Sequence, residues 1–167
     1  RRCVASQMET LVYDPFASDE QIESLGARRV ENLEDLFSQS DLISVHAPST
    51  PETRHLVNAD RLALMTGRGA DGVHCGNHLV NCARGGIIDE EAAFMALEKG
   101  TLSTLALDVF ENEPVESDHP LLQHPGFHGT PHIGAATLEA QVRVGLDIAD
   151  AVDAALRGEK VDTQVNR

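Results

Sequence analysis

The chain has 167 residues, of which 41% are hydrophobic and 24% are charged. This is the composition of an ordinary globular domain that is large enough to bury a core. The formal net charge of −14 argues against nucleic acid and anionic membrane surfaces as partners, because both would repel an acidic protein.

Short apolar runs alternate along the chain with segments of helical spacing. The predicted strands are residues 10–13, 28–30, 42–45, 78–82, 105–107 and 127–129. The predicted helices are residues 19–25, 33–37, 58–65, 90–99 and 136–156, and residues 1–7 have the character of a helix end. Strands separated by helices predict βαβ units, and therefore an α/β fold with a parallel sheet and helices on both faces.

Polar residues follow several of these strands. Asp14, His46, Arg84 and Asp108 come at or just after a strand's carboxyl end, and His132 follows the last strand. In sheets of this kind, ligands bind beyond the carboxyl ends of the strands. We therefore expect these side chains to converge on one edge of the sheet.

Three short motifs contain the strongest candidates for catalysis, which are Arg84 in ARGG, Glu113 in ENEP and His132 in PHIGA. A cation, a carboxylate and an imidazole are the groups that hydride transfer to an α-keto acid requires. A guanidinium presents a planar pair of donors that matches a substrate carboxylate. The imidazole exchanges a proton with the reacting oxygen, and the carboxylate favours its charged form. Taken singly, Arg84 could be a surface salt bridge and His132 a helix cap.

With these motifs, the chain resembles the nucleotide-binding domain of the D-isomer-specific 2-hydroxyacid dehydrogenases over about residues 8–166. Segments 81–89 and 106–110 are especially similar to the phosphoglycerate dehydrogenase branch. The resemblance implies a Rossmann-like, doubly wound parallel sheet and hydride transfer between NAD(H) and a D-2-hydroxyacid or 2-keto acid. It also implies that Arg84 binds the substrate carboxylate, that His132 is the general acid/base and that Glu113 is its partner.

The resemblance also implies which residues contact NAD. Asp14 matches the acidic residue that binds the adenosine ribose, and with no Arg close behind it in sequence it favours NAD over NADP. Asp14 followed by Pro15 is also ordinary turn chemistry. Asp108 matches the residue that contacts the nicotinamide carboxamide. The other implied cofactor contacts are Ala47, Cys82, Ala83, Arg84, His132, Gly134 and Ala135.

The chain departs from the family at its beginning. No G-x-G-x-x-G loop and no preceding strand come before Tyr13, and the N-terminal substrate-binding segment is also missing. The missing strand would lie in the middle of the sheet. Residues 1–135 are expected to be a partial NAD-binding domain, and residues 136–167 a linking helix and tail leading towards a substrate domain. We therefore expect a truncated form that binds NAD poorly and turns over little by itself.

Residues 66–77 are a second departure, because relatives cross from helix to strand in a shorter turn. Four glycines predict a flexible surface loop. Nearby His and Cys residues suggest a zinc site. However, adjacent His74 and Cys75 have poor chelate spacing, and Cys82 belongs to a cofactor motif. No metal site is predicted. The remaining histidines are expected to be exposed loop residues: His119, His124 and His128.

Two further interpretations stay open beside the NAD-dependent dehydrogenase. One is an NAD-sensing scaffold like the C-terminal-binding-protein corepressors, which share this domain and all three site residues. The other is a non-functional fragment. Three irregularly spaced cysteines imply no disulfide framework, and neither a membrane-length apolar run nor a signal peptide is found. We expect a cytoplasmic location and, at full length, a homodimer.

Overall fold

Six short strands and seven helices make up the secondary structure of residues 1–69 and 71–164, which the computed structural model describes. The strands are β1 (Leu11–Val12), β2 (Arg28–Arg29), β3 (Leu42–Val45), β4 (His78–Asn81), β5 (Thr104–Leu107) and β6 (Phe127–Gly129). The helices are α1 (Arg2–Ala5), α2 (Asp19–Glu23), α3 (Leu33–Gln39), α4 (Ala59–Leu62), α5 (Glu90–Glu98), α6 (Pro120–Gln123) and α7 (Leu138–Leu156). All of them except α6 coincide with predicted elements to within two or three residues.

Most of the helices begin at a polar side chain that accepts a hydrogen bond from their first turn. The capping residues are Ser18, Asn32, Asn58, Asp89 and Thr137. Such caps satisfy backbone N–H groups that have no partner within the helix. Because Thr137 is the cap of α7, that helix begins at residue 138 and not at the predicted residue 136.

The strands pair in parallel, as predicted, but they form two sheets. β1 pairs with β2, and the larger sheet has the order β3-β4-β5-β6. No strand pair in the described part of the chain joins β1 to β3. The larger sheet is in register, with Val45 opposite Asn81 and Asn81 opposite Leu107. The α/β fold is confirmed, and the carboxyl ends of three neighbouring strands lie level with one another.

The hydrophobic core surrounds the two central strands of the larger sheet. Leu79 of β4 and Leu105 of β5 have no exposed surface. They belong to the same buried cluster as Ala93 and Leu97 of α5. Leu121 joins this cluster from α6 and is also fully buried. A single helical turn has no periodic pattern, which is why α6 was not predicted.

The histidines on either side of α6 correct one sequence expectation. His119 and His124 are half-buried and contact carboxylates, His119 with Glu90 at 3.3 Å and His124 with Glu98 at 3.5 Å. The prediction that both are exposed loop residues is therefore wrong. His128 on β6 is exposed, as predicted.

The described residues of the 66–77 segment do not all lie at the surface. Arg68 and His74 face each other in an antiparallel bridge. Gly67 and Asn77 at the base of this segment are buried, and the side-chain amide of Asn77 donates to two backbone carbonyls at 3.2 and 2.7 Å. The surface-loop prediction is wrong at the base of the segment.

The described residues fall into two compact units, residues 1–131 and a second unit that starts at His132. The second unit consists largely of α7, in which no residue is buried. The predicted domain boundary between residues 135 and 136 stays a prediction. None of the helices in the described ranges is long and apolar enough to cross a membrane.

Replacing Leu121 with Ala is expected to destabilise the protein by about 2–5 kcal/mol, because it leaves a cavity in the core. Leu122 is the matched control, since it is the next residue on α6 and is 38% exposed. Leu122→Ala should cost less than about 1 kcal/mol. Urea unfolding followed by circular dichroism measures both, and equal losses would contradict this account of α6.

Candidate functional site

An open cleft of about 630 Å³ lies at the carboxyl ends of β3 and β4. Its lining residues are His46, Ala47, Pro48, Ser49, Cys82, Ala83 and Arg84. The last residues of the two strands are register partners, so the loops that follow them leave the sheet side by side. Four residues predicted to contact cofactor or substrate therefore line one space. Pro48 and Ser49 were not predicted, although their position just after a strand was an available signal.

Asn81 holds the turn that carries Arg84. Its side chain is 1% exposed. Its Oδ1 accepts a hydrogen bond from the backbone N–H of Ala83 at 2.9 Å, and its Nδ2 donates to the carbonyl of Arg84 at 2.9 Å. A buried amide that satisfies two backbone groups fixes the course of the chain between them. Sequence analysis treated Asn81 only as part of a motif.

The Arg84 side chain is exposed in this turn. Its guanidinium donates to the carbonyl of Ala83 at 2.7 Å. Arg84 has no acidic partner among the described residues, so the alternative of a surface salt bridge is not observed. Because a guanidinium has five N–H donors, most of the planar fork is available to an incoming carboxylate.

The turn of Arg84 packs against the segment that carries Glu113. Gly85 lies so close to Phe110 that a Cβ at position 85 would overlap the Phe110 carbonyl. The backbone N–H of Phe110 in turn donates to Oε1 of Glu113 at 2.9 Å. The structure therefore brings the segments of Arg84 and Glu113 together within the first unit.

Asp108 directly follows β5 and is only 4% exposed. Its Oδ1 accepts a hydrogen bond from the Thr130 hydroxyl at 2.6 Å, and its backbone N–H donates to the carbonyl of Asn81 at 3.0 Å. Asp108 does not belong to the cleft lining. It lies on the expected edge of the sheet, one strand further along.

Asp14 takes part in a turn, as its sequence context allowed. Its Oδ1 accepts hydrogen bonds from the backbone N–H groups of Phe16 at 2.8 Å and Ala17 at 3.2 Å. Arg29 donates to the Asp14 carbonyl at 3.1 Å and pairs with Asp19 at 3.3 Å. Arg29, which is distant in sequence, thus contacts the backbone of Asp14 and not its carboxylate.

His132, Gly134 and Ala135 belong to the second unit. His132 has a φ of 54°, in the left-handed region that non-glycine residues rarely adopt. Such backbone strain is concentrated at functional sites in proteins. The Ala135 carbonyl accepts a hydrogen bond from the Gln141 side chain at 2.9 Å. The roles of these residues stay predictions.

Two other sequence features do not form sites. Residues 67–72, GRGADG, match the G-x-G-x-x-G pattern, which sequence analysis did not note. The described residues of this match, 67–69, 71 and 72, come before β4, whereas a dinucleotide loop follows a strand and opens a helix. In residues 1–69 and 71–164, no three His, Cys, Asp or Glu side chains are grouped to hold a metal ion.

Replacing Gly85 with Ala is expected to destabilise the protein by about 1–3 kcal/mol, because the added methyl group forces the Arg84 and Phe110 segments apart. Gly145→Ala is the matched control, since the added Cβ meets no atom within 4 Å, and alanine favours the helix. Urea unfolding measures the difference. A Gly85→Ala protein as stable as the control would contradict the close packing of the two segments.

The chain is similar in sequence to known NAD-dependent dehydrogenases. The family model for the NAD binding domain of D-isomer specific 2-hydroxyacid dehydrogenases matches residues 1–134. The D-3-phosphoglycerate dehydrogenase of Methanocaldococcus jannaschii is 41% identical over 166 residues, which are 99% of this chain and 30% of that protein. The D-3-phosphoglycerate dehydrogenase of Archaeoglobus fulgidus is 42% identical over 166 residues, with the same two coverages.

Solved structures agree with the sequence relatives. A glyoxylate reductase from Paecilomyes thermophila superposes with a TM-score of 0.84 at 34% identity, covering 99% of this chain and 47% of that one. The chain thus spans about 30% of the length of the phosphoglycerate dehydrogenases that it matches. The chain belongs to the D-isomer specific 2-hydroxyacid dehydrogenase family, and residues 1–134 match the NAD-binding domain of that family.

Proposed function

We propose that the chain is the cofactor-binding part of an oxidoreductase that transfers a hydride between NAD(H) and a D-2-hydroxyacid or 2-keto acid of the phosphoglycerate, hydroxypyruvate or glyoxylate type. The observation that carries this proposal is the cleft beyond β3 and β4, which Arg84 lines. Among the described residues, the Arg84 guanidinium has no acidic partner and donates only to the Ala83 carbonyl. Family membership supports the cofactor. The 41% identity to a phosphoglycerate dehydrogenase supports the substrate class.

The residues around the cleft fit a dinucleotide. Ala47, Cys82 and Ala83 are small side chains that leave room for a flat ring near the backbone. Asp14 uses Oδ1 for its own turn, and Oδ2 accepts no hydrogen bond from the described residues, so it can accept from a ribose hydroxyl. The remaining proposed contacts are Asp108, Gly134 and Ala135.

In the proposed reaction, bound NAD supplies or accepts the hydride. Arg84 holds the substrate carboxylate through paired N–H donors, which also orients the carbonyl. The imidazole of His132 gives a proton to the carbonyl oxygen during reduction and takes it back during oxidation. Glu113 is its proposed partner, a carboxylate that can accept from a ring N–H and so orient the imidazole.

The isolated chain is expected to bind NAD weakly and to turn over little, because no G-x-G-x-x-G loop follows a strand in residues 1–69 and 71–164. Activity therefore requires the rest of the structure that the relatives carry. We propose that such a protein works in the cytoplasm as a homodimer. NADH oxidation by the isolated chain with hydroxypyruvate or glyoxylate would contradict the expectation that it turns over little.

A graft tests the proposed function. The whole chain replaces the segment that it matches in the Methanocaldococcus jannaschii relative, and that relative supplies the parts that the chain does not span. The graft is expected to oxidise NADH with a 2-keto acid. Binding of NAD without turnover would instead favour the NAD-sensing scaffold, and neither binding nor turnover would favour a non-functional fragment.

Arg84→Lys in the graft is expected to lower kcat/KM for the keto acid by about 10²–10³-fold, because an ammonium cannot form the paired hydrogen bonds. Arg28→Lys is the matched control, since that arginine is an exposed residue of β2. Steady-state kinetics measure both. If Arg84→Lys lowers kcat/KM no more than Arg28→Lys does, Arg84 does not bind the substrate carboxylate.

Carbonyl reduction by the graft is expected to be faster at mildly acidic than at alkaline pH, because only a protonated His132 can act as the acid. His132→Gln should lower the rate and remove this dependence. Initial rates from acid to alkaline pH provide the measurement. A flat profile in the unsubstituted graft would exclude His132 from that role.

A further inference from the structure

Two histidines and two glutamates outside the cleft form a continuous chain of contacts. Nε2 of His55 contacts Oε1 of Glu111 at 3.1 Å. The two glutamates bind each other's backbone: the N–H of Glu111 donates to Oε1 of Glu90 at 2.6 Å, and the N–H of Glu90 donates to Oε1 of Glu111 at 3.3 Å. Nε2 of His119 contacts Oε2 of Glu90 at 3.3 Å. Asp89 lies 3.7 Å from Nδ1 of His55.

Such an arrangement is costly unless it is fully compensated. The Glu90 side chain is 11% exposed and the Glu111 side chain 23% exposed. Burial raises the pKa of Glu90, the backbone N–H of Glu111 opposes this, and the nearby Glu111 charge raises the pKa further. With Nε2 protonated, each histidine donates to one of the two carboxylates and so lets them remain close together. A cluster with this cost calls for a structural or functional reason.

These contacts connect the Glu113 segment with the Arg84 turn. Glu111 follows Phe110, whose carbonyl packs on Gly85 and whose N–H donates to Glu113. On the other side, the backbone N–H of His55 donates to the carbonyl of Gly86 at 2.8 Å. His55 has a left-handed φ of 48°, which is strained for this residue type. His55 thus reaches the Arg84 turn through its backbone and the Glu113 segment through its ring.

We propose that Glu90 and Glu111, held by His55 and His119, are positioning residues that fix the Glu113 segment against the Arg84 turn. This inference rests on the proposed function, in which both segments serve the same substrate. Neither glutamate needs to touch cofactor or substrate. Because the two segments come from different strand ends, a small displacement between them would misalign the groups that bind and protonate a keto acid.

The first test uses the 167-residue chain and needs no catalysis. Glu111→Ala is expected to shift the NMR signal of the Phe110 amide and to raise its hydrogen-exchange rate by at least ~10-fold, because the Glu113 segment loses its anchor. Glu111→Gln should restore both, since its side-chain oxygen still accepts from His55 and from the Glu90 N–H. Glu91→Ala is the matched control, as Glu91 is the exposed neighbour on α5.

The second test uses the graft. Glu111→Ala is expected to lower kcat by about 10–100-fold while KM for NADH changes little, and Glu111→Gln to recover most of the rate. An unchanged Phe110 amide or an unchanged kcat in Glu111→Ala would overturn the positioning role. An inactive parent graft would count against the proposed function alone, because the Phe110 measurement in the 167-residue chain still decides the positioning role.

Discussion

The parallel register of the larger sheet determines where the loops of the candidate site begin. Val45, Asn81 and Leu107 lie opposite one another, so three loops leave the sheet at the same level. A shift of one residue in any strand would turn its buried side chains outward. Leu79 and Leu105, which have no exposed surface, prevent such a shift. The hydrophobic core thereby determines where polar residues at the strand ends are placed.

Close backbone packing then turns this shared edge into a defined site. Asn81 satisfies the backbone of the Arg84 turn from within the sheet. Gly85 allows that turn to reach the Phe110 carbonyl, a contact that a larger residue would prevent. Further out, the carboxylates of Glu90 and Glu111 each accept a hydrogen bond from the other residue's backbone N–H. The residues that make these contacts need not touch a substrate themselves.

Sequence analysis predicted the strands and most helices, because apolar runs and helix caps are local signals. It also placed His46 and Arg84 on one edge of the sheet, since chain order and the strand-end rule suffice for that. It missed contacts between residues that are distant in sequence. His119 and His124 were predicted to be exposed because Glu90 and Glu98 lie far from them along the chain. The contact of Arg29 with Asp14 and the paired glutamates were missed for the same reason. The helix α6 was missed because a single turn has no periodic pattern.

The cleft beyond β3 and β4 is proposed to bind the substrate carboxylate beside NAD. A crystal structure of the graft with NAD and oxalate, an unreactive analogue of a 2-keto acid, tests it most directly. The account predicts that two oxalate oxygens lie about 2.7–2.9 Å from the Arg84 guanidinium. Oxalate bound elsewhere, with Arg84 still donating to the Ala83 carbonyl as it does here, would contradict the account.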